Sequence, residues 1–387
     1  MADDDPPPTN VVELRGTGIL PAQQLREMIE NREIASILPI AEEQIQPASL
    51  DLRLGKYAYR VRASFLPGPG LSVMERVHQL GKPQIIDLSA PEGAVLEKGE
   101  VYVVEILESV RLTNGVEGRA NPKSSTGRLD VLTRLITDKA TAFDRIDKRY
   151  HGPLYVEVAP LTFSIRARQG SRLTQVRFQR GSAELTQKRL HEYHEAGQLV
   201  RIDGETRLPI WNELVPVSVD LRGRDRGIVG YKARASTRTI DIDCVGFYDP
   251  SEFWEKIENT DGALELEAGK FYILATREDV GVPPELAAEM VPYEATSGEF
   301  RVHYAGFFDP GFGWTDGETR GSKAVLEVRS HGVPFMLEHG QIVGWLRYGP
   351  IAVSRPSKLY GAGIKSNYQG QGIALAKHFK PWPLGPL

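Results

Sequence analysis

Two short stretches of the sequence hold residues that could carry out chemistry. Hydroxyl groups and cations are concentrated in residues 123–128, which read Lys-Ser-Ser-Thr-Gly-Arg. Such a loop can present hydroxyls, backbone N–H groups and cations to phosphate oxygens, although the same composition also suits a plain surface turn. In the second stretch, residues 154–158, Glu157 interrupts an apolar run. This carboxylate either faces solvent or is buried, and burial would raise its pKa and suit it to proton transfer near neutral pH.

Composition limits the kinds of site that the chain can build. It has one cysteine, Cys244, which excludes an intramolecular disulfide and a multi-thiolate metal site and fits a reducing compartment. The H-x-E and P-C-x-x-C elements of zinc deaminases are missing from the sequence, so we expect no zinc. With 47 basic and 51 acidic residues, the formal net charge is −4. This balance argues against a nucleic-acid or membrane partner but allows a small anionic ligand.

The chain repeats itself at a constant offset. Residues 96–102 match residues 266–272, and residues 154–158 match residues 324–328, in both cases 170 positions later. Further upstream, residues 47–53 resemble residues 216–222. A constant offset over separated segments indicates two copies of one fold.

The spacing of apolar residues indicates which elements position the two stretches. Alternation predicts strands at residues 57–61, 101–106, 154–158 and 271–274, broken by frequent turn residues. Amphipathic helices are predicted at residues 21–34 and within residues 182–199. Short strands with many turns are typical of a closed or sandwiched antiparallel β-fold. We expect residues 1–10 to form a disordered tail without signal-peptide character, and no apolar run reaches the ~20 residues of a membrane span, so the expected location is cytoplasmic.

The order of these pieces resembles the dCTP deaminase family, which shares its fold with the trimeric dUTPases, and in particular the double-length, tandem form of that family. The resemblance covers most of the chain and rests on four segments: residues 46–55 (Gln-Pro-Ala-Ser-Leu-Asp-Leu-Arg-Leu-Gly), residues 123–128, residues 144–147 (Asp-Arg-Ile-Asp) with Glu157 ten residues on, and residues 367–371 (Asn-Tyr-Gln-Gly-Gln). It implies a mainly β chain of two tandem dUTPase-like units, each a distorted β-barrel or jelly roll, with a few short helices. The expected division is a first unit at residues 11–181, a helical linker at 182–204, and a second, degenerate unit at 205–387 that carries a C-terminal lid.

The resemblance also implies hydrolytic deamination of dCTP to dUTP and ammonia without zinc. Glu157 maps to the base that activates water, and Ser124 and Arg128 map to residues that hold the water and the leaving group. The remaining matches are substrate contacts: Lys123 and Ser125 for phosphate, Arg145 and Asp147 near base and sugar, and Tyr360, Asn367 and Gln371 in the lid. Lys123 stands where the family usually has arginine, and Asn367 where lysine is common. Mg²⁺ is expected on the triphosphate, held mainly by phosphate oxygens. Single-copy relatives are trimers, which implies a homo-oligomer.

The second copy lacks both cationic side chains and the first hydroxyl that the first copy carries in residues 123–128. Alignment places Glu294, Ala295 and Glu299 opposite Lys123, Ser124 and Arg128. Two acidic residues would repel a triphosphate. We therefore interpret Glu327, the counterpart of Glu157, as a structural or relict residue, and the second copy as a structural neighbour that supplies the lid.

Two other functions fit parts of the sequence. A dUTPase, or a bifunctional enzyme that converts dCTP to dUMP, would use Asp147 to activate water for attack on phosphorus. A non-catalytic nucleotide-binding protein is the other alternative, because one loop has decayed. The products distinguish these possibilities: a deaminase releases ammonia, dUTP-cleaving activity releases pyrophosphate, and a binding protein releases neither.

Overall fold

The fold is mainly β. The computed structural model describes residues 16–202, 208–223, 227–236, 238–258, 261–291, 300–302, 306–315, 318–319, 321–330, 332–361 and 372–382. In the first half of the chain the strands are β1 (Gly18–Ile19), β2 (Ile34–Ser36), β3 (Leu50–Leu52), β4 (Leu54–Val61), β5 (Gln84–Asp87), β6 (Ala94–Leu96), β7 (Val101–Arg111), β8 (Val116–Pro122), β9 (Val131–Thr137), β10 (Arg145–Ile146), β11 (His151–Pro160), β12 (Ile165–Ala167) and β13 (Thr174–Arg180). The helices of this half are α1 (Ala22–Glu30), α2 (Val73–Gln79), α3 (Ser124–Gly127) and a 3₁₀ turn at Glu42–Gln44.

The second half begins with a helix and continues as strands. Helix α4 (Gln187–Glu195) starts at the N-cap Thr186, whose side chain accepts a hydrogen bond from the N–H of Arg189. A 3₁₀ turn lies at Pro250–Glu252. The strands are β14 (Val200–Arg201), β15 (Val215–Ser218), β16 (Ile228–Ala233), β17 (Ile240–Asp241), β18 (Trp254–Glu258), β19 (Ala263–Leu266), β20 (Phe271–Val280), β21 (Leu286–Val291), β22 (Phe300–Val302), β23 (Phe307–Phe308), β24 (Trp314–Thr315), β25 (Glu318–Thr319), β26 (Ser322–Ser330), β27 (Phe335–Glu338) and β28 (Ile342–Pro350).

The predicted elements are present. All four predicted strands are confirmed, as parts of β4, β7, β11 and β20. The two predicted helices are confirmed as α1 and α4, each shorter than the apolar pattern. Helix α1 ends before Ile34 because β2 begins there and pairs with β7. Of the predicted linker, residues 200–201 form β14, which pairs with β20 of the second half.

Equivalent strands of the two halves pair in the same register. Tyr102 of β7 opposes Val158 of β11, and 170 residues later Tyr272 of β20 opposes Val328 of β26. The phenol oxygen of each tyrosine accepts a hydrogen bond, 2.9 Å long, from the backbone N–H five residues earlier. The pairs β8–β13 and β21–β28 repeat in the same way. One strand-pairing scheme is therefore used twice.

The two halves are packed against each other. Strand β12 of the first half pairs in parallel with β17 of the second, and antiparallel with β6. Next to this sheet lies an aromatic cluster in which Phe163 contacts Phe253 and Trp254 edge-on. Phe379, near the C-terminus, joins the same cluster against Trp254. This packing brings loops of the first half against strands of the second.

Candidate active site

The loop at residues 123–128 forms a tight turn between two strands that belong to different sheets. Strand β8 ends at Pro122, the single helical turn α3 follows, and β9 begins at Val131. The turn is closed by the N–H groups of Thr126 and Gly127, which donate to the carbonyl of Lys123 at 2.8 and 3.0 Å. Ser124 is exposed and Ser125 is buried. The loop is thus fixed at a strand end with one hydroxyl accessible to a ligand.

Three cations surround one buried carboxylate beside this loop. Lys123 forms a salt bridge with Asp51, and a guanidinium nitrogen of Arg172 lies 3.8 Å from the same carboxylate. Burial lowers the pKa of Lys377, and the nearby charges of Lys123 and Arg172 lower it further. Three cations against one carboxylate favour a polyanionic ligand such as a triphosphate. Arg172 and Lys377 could not be predicted from the sequence, since no local pattern connects them with the loop.

The C-terminal segment lies against the loop. Arg128 is only 6% exposed, and its Nη1 donates to the carbonyls of Ala374, at 3.0 Å, and Leu375, at 3.5 Å. Among the predicted lid residues, Tyr360 is half-buried with its ring centroid 5.4 Å from that of Phe312. Asn367 and Gln371 lie outside the described residues. The tail therefore reaches the loop of its own chain through residues 374–375.

Glu157 is buried, which settles the choice that its sequence context left open. It lies on β11, opposite Arg134 of β9, and is 1% exposed. Its Oε1 accepts from two nitrogens of Arg134, with the Nε contact at 3.0 Å. The Arg134 guanidinium also lies 3.9 Å from the ring centroid of Phe143. Burial raises the pKa of the neighbouring Asp144 to about 7, and the charge of Glu157 adds to that shift.

We predict that Arg134→Met destabilises the fold by about 3–5 kcal/mol, because it leaves the buried Glu157 carboxylate without its ion-pair partner. Chemical denaturation of the full chain measures this loss. In the matched control, Arg134→Met combined with Glu157→Gln, much of the lost stability should return. If the Arg134→Met variant is as stable as the unmodified chain, the ion pair contributes little to the free energy of unfolding.

Arg145 and Asp147 lie together but away from the loop. Both side chains are exposed and line a small pocket with Thr137 and residues 140–142. Across the sheet, Arg145 opposes Arg119 of β8. Arg119 precedes Lys123 by four residues, or about 13 Å along an extended strand. Within one chain, Arg145 and Asp147 thus lie apart from Lys123 and Ser125.

A second buried glutamate lies beside the loop. Glu327 of β26 is 6% exposed. Burial raises the pKa of its carboxyl to about 8, with the positive charge of Arg128 acting in the opposite direction. Arg329, two residues along the same strand, forms a salt bridge with Asp130 and donates to Thr162 Oγ1 at 2.9 Å. Glu327, interpreted from the sequence as a structural or relict residue, thus lies in the charge field of Arg128, while Glu157 pairs with Arg134.

Within the described residues, no group of three or more His, Cys, Asp and Glu side chains is placed to hold a metal ion. A divalent cation carried by triphosphate oxygens needs no such protein cage. In the described part of the chain no helix is long and apolar enough to cross a membrane.

These features define a class of protein: a β-rich chain in which a cation-lined loop adjoins a buried carboxylate, as in enzymes that act on nucleotides. Family models support this class directly. Residues 16–182 match the N-terminal domain of 2′-deoxycytidine 5′-triphosphate deaminase, and residues 186–379 match its C-terminal domain. The chain therefore belongs to the 2′-deoxycytidine 5′-triphosphate deaminase family, whose members are enzymes, and the resemblance noted in the sequence is confirmed.

Individual relatives agree with the family match. The crystal structure of 2′-deoxycytidine 5′-triphosphate deaminase from Agrobacterium tumefaciens is 47% identical, with a TM-score of 0.81, covering 87% of this chain and 100% of that chain. A dUMP-forming dCTP deaminase of Thermobifida fusca is 30% identical over 159 residues, which are 41% of this chain and 76% of the relative. Another, from Corynebacterium glutamicum, is 31% identical over 115 residues, which are 30% of this chain and 58% of the relative.

Proposed function

We propose that this chain deaminates dCTP to dUTP and ammonia, by attack of water at C4 of the cytosine, at the loop formed by residues 123–128. The observation that carries this proposal is the position of Arg128, which contacts the C-terminal segment and acts on a buried glutamate. The cations around Asp51 add a place for the triphosphate. The family match and the Agrobacterium tumefaciens neighbour support dCTP as the substrate.

In the proposed reaction, a carboxylate takes a proton from water as the water oxygen bonds to C4. Protonation of the exocyclic amine then allows the C4–N bond to break, so dCTP and water yield dUTP and ammonia. Water is a weak nucleophile at neutral pH, and a positioned base contributes typically 10²–10⁴-fold to such a step. The family resemblance maps this base onto Glu157, and Glu327 occupies the same register position in the second half. The chain thus holds two candidate carboxylates for one loop.

The other residue roles follow the same resemblance. Ser124 and Arg128 hold the water and the leaving amine, and Lys123 and Ser125 contact phosphate. Arg145 and Asp147 contact base and sugar, while Tyr360, Asn367 and Gln371 belong to the lid. The substrate carries its own Mg²⁺, bound by triphosphate oxygens. The loop and its cations supply fixed positive charge to the phosphates.

We further propose that the chain consists of two tandem barrel or jelly-roll units, at residues 11–181 and 205–387. The repeated strand registers support this division. A homo-oligomer, a cytoplasmic location and the absence of zinc stay predictions.

A second candidate function is conversion of dCTP through to dUMP. Its support is that the relatives from Thermobifida fusca and Corynebacterium glutamicum are both named dUMP-forming. In that reaction Asp147 would activate a second water for attack on phosphorus. The non-catalytic nucleotide-binding protein is a third possibility, to which the geometry adds no support.

Product analysis tests the proposal. The full chain is incubated with dCTP and Mg²⁺, ammonia is assayed, and nucleotides are separated by ion-exchange chromatography. One ammonia per dUTP supports the proposal, whereas dUMP and pyrophosphate together with ammonia would establish the bifunctional alternative. No turnover of dCTP would contradict both and leave the binding protein.

A further inference from the structure

We propose that the deamination site is composite within one chain: the loop with Ser124 and Arg128 comes from the first half, and Glu327 of the second half carries the proton. The inference rests on the proposed function and assigns its base. Its first support is the contact between β26 and the segment that follows the loop. Arg329 forms a salt bridge with Asp130, two residues after Arg128, and also donates to Thr162. Side chains two apart on a strand share a face, so Glu327 is directed to the same side as Arg329.

The two glutamates are equivalent in position and different in surroundings. Glu157 opposes Val103 of β7, and Glu327 opposes Ile273 of β20, at the same place in the repeated register. The Oε1 of Glu157 is held by two nitrogens of Arg134. Glu327 instead lies in the field of Arg128. The two equivalent carboxylates therefore have different charged neighbours, and Glu327 is the one beside the loop.

A second segment of the same half also reaches the loop. Asp309, in the Phe-Asp-Pro-Gly stretch of the second copy, is buried and forms a salt bridge with Arg177 of the first half at 3.1 Å. The charges of Asp51 and Lys123 both act on it. Nearby, Phe308 and Phe312 contact each other at a centroid distance of 5.1 Å, and Phe312 contacts Tyr360. The second half thus brings a buried acid, Asp309, close to Lys123 of the first half's loop.

This arrangement gives each half a distinct contribution. Only the first copy keeps the loop chemistry in sequence, because Glu294 and Glu299 replace Lys123 and Arg128 in the second. The second copy keeps the buried glutamate and the acid-aromatic stretch. A chain with one loop that can bind substrate needs one neighbouring unit to complete the site, and the second half is that unit. Loss of the second loop is then compatible with full activity of the first.

The surroundings of Glu327 suit a carrier that both gives and takes a proton. Burial raises its pKa to about 8, so the protonated and ionised forms are both accessible near neutral pH. The protonated carboxyl donates to N3 of the cytosine, and the resulting carboxylate takes a proton from the attacking water. That proton passes to the exocyclic amine, which leaves as ammonia while the C4–O bond remains. The carboxylate regains a proton from the C4 hydroxyl as the C4 carbonyl forms, and N3 keeps the proton that it received, as in uracil.

Matched substitutions at the two glutamates test the assignment. Glu327→Gln should lower kcat for dCTP by roughly 10²–10⁴-fold, the range for loss of a general acid–base. Its kcat should be at least tenfold below that of Glu157→Gln. The binding of dUTP, measured by calorimetry, should be retained in Glu327→Gln, which shows that the site still folds. A lower kcat in Glu157→Gln than in Glu327→Gln would overturn the assignment.

Co-expression of inactive variants tests whether the site lies within one chain. If Glu327 acts at the loop of its own chain, co-expressed Arg128→Ala and Glu327→Gln chains should show no more activity than the sum of the activities of the two variants alone. Turnover well above that sum would place the base on another chain and contradict the proposal. Failure of the proposed function itself is distinguishable, because then the unmodified chain would release no ammonia from dCTP.

Discussion

Replacement of Arg128 by alanine should reduce kcat for dCTP deamination by about 10²–10³-fold, the usual cost of removing one preorganised donor from a reacting centre. Three effects combine at this position. In the proposed mechanism, the leaving amine and the water lose a cationic neighbour. The carbonyls of Ala374 and Leu375 lose their hydrogen-bond donor. The pKa of Glu327, already about 8, rises further because the charge that opposes its burial is gone.

Steady-state kinetics over a range of pH measure this loss. If protonated Glu327 starts the reaction, the alkaline limb of the profile, on which activity falls as this carboxyl ionises, should move to higher pH in Arg128→Ala. Arg128→Lys is the matched control, because it keeps the positive charge without the planar guanidinium. Its kcat should lie between those of the unmodified chain and of Arg128→Ala. A folded Arg128→Ala variant within about tenfold of the unmodified kcat would remove Arg128 from the reacting centre.

Reversal of the charge at residue 123 should raise KM for dCTP more than 100-fold, by the repulsion of like charges at close range. Lys123→Glu copies the sequence of the second loop, which carries Glu294 at this position. It removes the salt bridge to Asp51 and places a second carboxylate near that buried acid and near the triphosphate. Both consequences act against an anionic substrate.

The conservative replacement Lys123→Arg separates charge from geometry. It keeps the positive charge and adds the bidentate fork that the family usually has here, so its KM should be equal or lower. Substrate titrations at two salt concentrations check the cause, because a phosphate contact weakens as ionic strength rises. An unchanged KM in Lys123→Glu would show that the triphosphate lies elsewhere.

Local patterns in the sequence anticipate local structure well. Alternating apolar residues predict β7 and β11, and the constant offset of 170 residues corresponds to a strand register used twice. The concentration of Ser, Gly, Lys and Arg predicts a fixed polar turn at the end of β8. These features depend on residues close together in sequence or on a repeat that can be read directly.

Contacts between distant segments were not predictable in the same way. The salt bridge between Arg329 and Asp130 joins residues 199 positions apart, and nothing in either strand specifies that partner. The packing of the two halves brings Glu327 into the charge field of Arg128, while Glu157 pairs with Arg134. Arg172 and Lys377 converge on Asp51 for the same reason. For Glu157, sequence allowed burial or exposure, and the ion pair with Arg134 makes burial possible.

Turnover of dCTP in ¹⁸O-labelled water distinguishes hydrolytic deamination of the cytosine ring from attack of water on phosphorus. Mass spectrometry of the nucleotide product locates the oxygen, and an ammonia assay counts the amine released. We predict label at the C4 oxygen of the uracil in dUTP, with one ammonia per labelled product and an unlabelled triphosphate. Label in phosphate without release of ammonia would contradict it, because water would then attack phosphorus and not the cytosine ring.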